Sequence, residues 1–170
     1  KALLFLANKR KNMGMNVEFD HWAMLATWKL FTLKNNGLNH VQINKLKRHA
    51  NQMAKSILDQ QILNEETEFY GAFNDNIRPC SIGTRMEGLI AIYHIVDDVK
   101  LRKRVLQSLE AMNQFLINVQ IKEGDVKGGI PTRADWKKEN TEKRAGVIRI
   151  DNVQHVLSAW ILYKKTILRN

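Results

Sequence analysis

The strongest constraint on the fold is an alternation between two kinds of helical segment. Three segments are apolar on nearly every side, as in "LIAIYHIV"; they are 20–35, 84–98 and 151–167. Segments 43–62 and 100–120 instead carry one apolar stripe at helical spacing and a polar back. A helix that is apolar all round is surrounded by protein, whereas an amphipathic helix has one face in water. The order therefore predicts inner helices that alternate with outer ones, with 1–11 as a further outer helix.

The connections between these segments also alternate, in length. The long ones, 12–19, 63–83 and 121–150, each precede an inner helix. Long loops in a compact domain usually carry function or are disordered. Because all three lead into inner helices, we expect them on one face, above the polar residues that open those helices. That face is where the sequence predicts a pocket.

Length and cysteine usage set the general class. A chain of 170 residues can bury a core without disulfides, and we expect 1–170 to be a single all-α domain. Cys80 is the only cysteine, which excludes an internal disulfide and a multi-thiolate metal site. No apolar run approaches the ~20 residues that span a bilayer, and no segment resembles a signal peptide. We expect a soluble protein, cytoplasmic rather than exported.

The net charge of +10 has two interpretations. The basic runs 45–55, 100–104 and 137–144 would attract an anionic polymer or membrane surface, or they are solvated faces of helices and a loop. Aromatic residues are not interleaved with these runs, and no nucleic-acid-binding motif is present. Nucleic acid is therefore not an expected partner.

Two carboxylates are candidate catalytic acids or bases. Glu87 follows Thr84 by three residues ahead of an apolar run, which is also the pattern of a helix capping box. Asp151 opens the last inner helix, with Gln154 three residues later, and has the same alternative role as a cap. Both interpretations stay open for each residue. A catalytic pair predicts the two carboxylates within about 5–10 Å of each other.

Histidine and tryptophan residues stand beside these carboxylates. His155 lies four residues after Asp151, on the same helical face, where a carboxylate would fix the imidazole for general acid or base work. Asp20, His21 and Trp22 open the first inner helix, Asp20 as its cap and Trp22 as a stacking plate or as core. We take His155 as a third catalytic candidate and the other three as substrate-binding candidates.

Arginines and one amide complete the substrate-binding candidates: Arg78, Arg85, Arg149 and Gln154. With Arg133, converging arginines would give the pocket an anion-friendly mouth. Cys80 has no partner base nearby in the sequence and is a weak nucleophile candidate. No spacing of His, Asp and Glu predicts a metal site, so we expect neither a metal nor a cofactor.

The stretch "LEAMNQFLINVQIKEGDVKGG" (109–129) resembles the repeat of terpenoid-cyclase and prenyltransferase-like α/α toroids. Ala111, Phe115, Leu116, Gln120 and Gly124 match that repeat, although its closing tryptophan is absent. "QHVLSAW" (154–160) resembles the inner helix that follows such a repeat. The resemblance is at superfamily level and strongest over 84–165. It implies an α/α toroid, but the Asp-rich motif of the cyclases and the zinc ligands of the prenyltransferases are missing.

The resemblance implies a partial or half toroid, because a closed ring takes five to seven hairpins and this chain has about three. We expect the chain to be the C-terminal part of a larger protein, with its missing N-terminal half as one partner. The expected function is action on, or binding of, a carbohydrate-like or other polar or anionic small molecule or polysaccharide. One alternative is a non-catalytic helical-repeat module that binds a protein or acidic ligand. The last-ranked alternative is binding to an anionic surface.

Overall fold

The computed structural model describes residues 1–14, 17–74, 76–138 and 144–168. These residues form six helices: α1 (Ala2–Arg10), α2 (His21–Thr32), α3 (His40–Leu58), α4 (Pro79–Tyr93), α5 (Val99–Val119) and α6 (Ile150–Thr166). No strand forms within these described ranges, where β pairing is limited to isolated bridges. The all-α prediction is confirmed.

The helices pack in two rows, an outer row of α1, α3 and α5 and an inner row of α2, α4 and α6. In the outer row, Lys47 near the start of α3 pairs with Asp97, just before α5. Arg104, further along α5, pairs with Asp59 at the end of α3. The two outer helices therefore run in the same direction.

The inner helices also run in one direction, but they do not begin at one level. The Cys80 sulfur lies 3.9 Å from the Asp151 carbonyl oxygen, and Gly83 packs against the backbone of His155, so α4 and α6 start side by side. The start of α2 instead lies beside Gly88. Gly88 lies about 13 Å along the axis of α4 from its first residue, Pro79, at 1.5 Å per residue. The start of α2 is thus offset along α4 from the starts of α4 and α6.

Helix boundaries confirm one predicted cap and contradict two. Asp20 caps α2, accepting a hydrogen bond from the Ala23 amide at 3.0 Å. The capping box at Thr84 and Glu87 is wrong, because α4 begins at Pro79, whose fixed φ suits the first helical position. The capping box at Asp151 is also wrong: α6 begins one residue earlier, and Asp151 lies in its first turn. Glu87 is therefore free of a capping role.

Burial along the inner row is uneven. Every residue of α4 from Ile82 to Ile92 is buried, as predicted for an inner helix. On α6, however, a run of apolar side chains is exposed: Ile150, Leu157, Ile161 and Leu168, the last just beyond the helix. α4 is enclosed because α2 and α6 pack on its two sides, whereas α6 has an inner-row neighbour on one side only. The prediction of an enclosed helix is wrong for α6, and also for α2, whose buried residues are Ala23, Met24 and Thr27.

The long connection between α3 and α4 is packed against the outer row. The amide of Gln61 donates to the carbonyl oxygens of Gly71 and Ser108, which joins the connection to α5. Gly71 has a φ of +88°, and a Cβ there would lie 2.0 Å from the Ala111 carbonyl oxygen. Only glycine fits this approach.

Across the described residues, none of the helices combines the length and the hydropathy that crossing a bilayer requires.

Candidate functional site

Side chains from all three inner helices converge on one point. His21 of α2, Glu87 of α4 and His155 of α6 each bring a nitrogen or oxygen atom within 4.8 Å of the other two. His155 Nδ1 lies 3.0 Å from Glu87 Oε2. The two imidazole rings meet edge to face, with centroids 5.7 Å apart. We call these three residues the histidine–glutamate cluster.

Two glycines on α4 let its neighbours come close enough to form this cluster. A Cβ at Gly83 would lie 2.9 Å from the His155 carbonyl carbon, so α6 approaches α4 over its bare backbone. A Cβ at Gly88 would lie 2.8 Å from Met24 Sδ and 3.4 Å from His21 Cα. Glycine in a helix costs about 1 kcal/mol relative to alanine. Here that cost is offset by a helix contact that no larger residue permits at position 83.

Glu87 is an interior carboxylate. Its side chain is 7% exposed, and that of His155 is 19% exposed. A carboxylate in the interior is costly unless it is paired or hydrogen-bonded, and the structure gives Glu87 the imidazole of His155 as its partner. The exposed edge of His155 is one route by which solvent or a ligand reaches the pair.

His21 has a buried nitrogen, Nε2, without a hydrogen-bond partner among the described residues. Burial lowers the pKa of His21, and the Glu87 charge opposes this only in part, so the ring is neutral near pH 7. The neighbouring Trp22 ring has its centroid 4.7 Å from that of His21 and is 66% exposed. Trp22 thus presents an aromatic surface next to the cluster.

Arg85 lies on another face of α4 from Glu87. Its guanidinium lies over the rings of Phe19 at 4.7 Å and Phe73 at 4.5 Å, and donates to Ser81 Oγ at 2.5 Å. It is 5% exposed and lines a cleft of about 460 Å³ together with Phe19 and Ser81. The Phe19 ring stands between this cleft and His21, with centroids 6.1 Å apart.

Asp20 has two structural contacts. Besides capping α2, it accepts hydrogen bonds from both terminal nitrogens of Arg10 at 3.2 Å. These contacts hold α1 against the start of α2, and they occupy both carboxylate oxygens of a predicted substrate-binding residue.

The candidate site residues at the start of α6 have partners outside the histidine–glutamate cluster or are exposed. Asp151 pairs with Arg149 at 3.1 Å, and both side chains are about half exposed. Gln154 and Arg78 are exposed. The structure thus gives Glu87 and Asp151 separate partners, His155 and Arg149, and shows no contact between the two carboxylates.

The remaining loop candidates also have local partners. Arg133 binds Asp135 with two hydrogen bonds of 2.8 Å, and this contact lowers the pKa of Asp135. Burial raises the pKa of the Cys80 thiol, with smaller contributions from Asp151 and Glu87, so the thiolate is disfavoured. This environment does not support Cys80 as a nucleophile.

Sequence reasoning placed all three members of the cluster in one pocket but did not predict their contacts with one another. The missed residues are Gly83, Ser81, Phe19 and Phe73. A usable signal was present in Gly83 and Gly88, two glycines in one apolar helical segment. Glycines in a buried helix indicate faces where other backbones approach closely.

Comparison with known proteins gives no match for this chain: no family model, no curated protein and no solved structure matches it.

Proposed function

We propose that this chain is part of an α/α-toroid enzyme that acts on a carbohydrate-like or other polar or anionic substrate at the histidine–glutamate cluster. The single observation that carries the proposal is the convergence of Glu87, His155 and His21 from three inner helices, with the carboxylate buried. The helices lie in two rows, and within each row they run in the same direction. This arrangement supports the toroid as the architecture.

The residues have distinct roles in this proposal. Glu87 orients the His155 imidazole through the 3.0 Å hydrogen bond, so that the ring is positioned to transfer a proton to or from a substrate hydroxyl or carbon. The exposed Trp22 ring provides an apolar surface for a sugar ring, beside His21. Arg85 holds the neighbouring cleft in place through its two aromatic contacts.

The test is a substrate panel with matched variants. Purified chain is incubated with 4-nitrophenyl glycosides, scored by nitrophenolate release, and with polyuronates, scored for unsaturated or epimerised products. We expect turnover of at least one class, and a loss of about 100-fold or more in kcat for Glu87→Gln and His155→Gln. The matched control is Glu123→Gln, an exposed loop carboxylate whose loss leaves kcat unchanged.

Two outcomes contradict the proposal. Turnover that survives Glu87→Gln at the wild-type rate would place the chemistry elsewhere. Sugar binding without turnover, seen as saturable shifts in tryptophan fluorescence that Trp22→Ala abolishes, would favour the alternative of a non-catalytic binding module. Circular dichroism of each variant shows whether a lost signal reflects unfolding.

A further inference from the structure

The donor set of the histidine–glutamate cluster has the chemistry of a transition-metal site. Two imidazoles and one carboxylate are ligands that zinc and neighbouring divalent ions take in proteins. Calcium and magnesium instead prefer sets made of oxygen alone. Three protein ligands with a further position open to water or substrate is the arrangement of catalytic rather than structural sites.

The cluster differs from a chance grouping of surface acids because its carboxylate, Glu87, is buried. Glu87 is 5% exposed overall, and its hydrogen-bond partner in the structure is one imidazole. The Nε2 atom of His21 is also buried, and no described residue offers it a hydrogen bond. An unsatisfied buried nitrogen costs about 1–3 kcal/mol. A cation bound through that nitrogen and the Glu87 carboxylate would satisfy the nitrogen and neutralise the carboxylate at once.

The separations require only side-chain adjustment. Ligand atoms at zinc distances of about 2.0–2.1 Å and a tetrahedral angle lie roughly 3.3 Å apart. The cluster's atoms span from 3.0 Å, between Glu87 and His155, to at most 4.8 Å. Rotation about the side-chain bonds of His21 closes the larger separations, while the contacts at Gly83 and Gly88 keep the three backbones in place.

We propose that His21, Glu87 and His155 bind one divalent transition-metal ion of the zinc class, with a remaining coordination position facing the substrate. The sequence predicted no metal here, because ligands from three separate helices leave no spacing motif. Coordination at His155 Nδ1 would displace the proton of its hydrogen bond to Glu87, and in a neutral ring that proton moves to Nε2. With the ion bound, metal-bound water would take over the proton-transfer role that the proposed function gives to the His155 imidazole, and His155 would act as a ligand.

This inference rests on the site of the proposed function and names the ion that it holds. The experiment begins with the full 170-residue chain treated with EDTA and desalted. Zn²⁺ is titrated by calorimetry and Co²⁺ by visible absorption. We expect one ion per chain and the intense bands of four- or five-coordinate cobalt.

Variants locate the site. His21→Gln, Glu87→Gln and His155→Gln each remove one ligand, and each should weaken Zn²⁺ binding by about 100-fold or more. The matched control is His94→Gln, an exposed histidine just after α4, which should bind Zn²⁺ as the wild type does. Circular dichroism confirms that each variant is folded before titration.

The outcomes separate this inference from the proposed function. Absence of Zn²⁺ and Co²⁺ binding, or affinity unchanged in His21→Gln, overturns the metal site. Turnover by the EDTA-treated chain together with absent metal binding leaves the proposed function standing alone. Stoichiometric, ligand-dependent metal binding without turnover of any substrate supports the metal site while the proposed function fails.

Discussion

Two buried charged residues of α4, Arg85 and Glu87, differ in what surrounds them. The guanidinium of Arg85 lies between the rings of Phe19 and Phe73 and bonds to Ser81 on its own helix. Glu87 faces imidazoles that arrive from two other helices. Arg85 contacts aromatic rings and a hydroxyl, so its role is packing. Glu87 contacts imidazoles, which transfer protons or bind metals, so its role is chemical. The comparison shows that burial of a charge alone does not mark a site; the chemistry of its partners does.

The largest expected effect concerns Arg85 and its packing role. Arg85→Ala removes two cation–π contacts and a hydrogen bond and leaves a cavity, so we expect the free energy of unfolding to fall by about 3–5 kcal/mol. Urea denaturation followed by circular dichroism measures it. The matched control is Arg104→Ala on α5, whose ion pair with Asp59 is about half exposed and contributes about 0–1 kcal/mol. Equal losses for the two variants would remove the packing role of Arg85.

A smaller effect concerns Gly83 and Gly88, the glycines that let the neighbouring helices approach Glu87. Gly83→Ala forces a methyl group to within 2.9 Å of the His155 backbone, and we expect a loss of about 1–3 kcal/mol in unfolding free energy. In Gly88→Ala the close contacts are with the flexible Met24 side chain, 2.8 Å from its sulfur, and His21 Cα lies at 3.4 Å, so a gain of about 1 kcal/mol in helix propensity offsets the crowding. Thermal and urea unfolding of the pair measure the difference. A less stable Gly88→Ala than Gly83→Ala would contradict the packing described at these two positions.

The smallest expected effect concerns His49. This imidazole is buried and, unlike His155, has no hydrogen bond to a carboxylate among the described residues. Neither ring nitrogen of His49 has a hydrogen-bond partner among the described residues. Burial, aided by Arg10 and opposed by Asp20, lowers the pKa of His49 below 6.5. As the pH falls through about 6.5, the unfolded chain therefore takes up a proton before the folded chain does, and stability is lost.

His49→Leu tests this pH dependence. Between about pH 8 and pH 5.5 we expect the wild type to lose about 1 kcal/mol more unfolding free energy than the variant, measured by urea denaturation at each pH. His40→Gln, an exposed histidine at the start of α3, is the control and should follow the wild type. Parallel pH profiles for wild type and His49→Leu would show that His49 is not buried as a neutral ring.

The fold class was predictable because hydrophobic periodicity is a local signal. The stripes in 43–62 and 100–120 and the apolar runs between them predict helices close to those observed. The start of α4 was missed because Thr84 and Glu87 satisfy a capping pattern that the preceding Pro79 overrides. The apolar pattern of α6 predicted enclosure, which depends on neighbours and not on the helix itself.

The sequence predicted a shared pocket for the members of the cluster but not their contacts with one another. Glu87, His155 and His21 each stand near the start of an apolar segment, which suggested a shared face. Their contact depends on the offset of α2 along α4 and on the close packing at Gly83. Both are properties of how helices stack, and no local pattern encodes them. Asp151 lies four residues before His155 on α6 and pairs with Arg149 instead of joining the cluster.

The edge-to-face contact of His21 and His155 has a consequence for cooperativity. In helical-repeat proteins each unit couples mainly to its nearest neighbours, so terminal units can detach independently. The two imidazoles join the first inner helix directly to the last one, across the central helix. An ion or substrate held between them would add a coupling between next-nearest neighbours. Occupancy of this point would therefore couple the first and last inner helices more tightly and sharpen the unfolding transition.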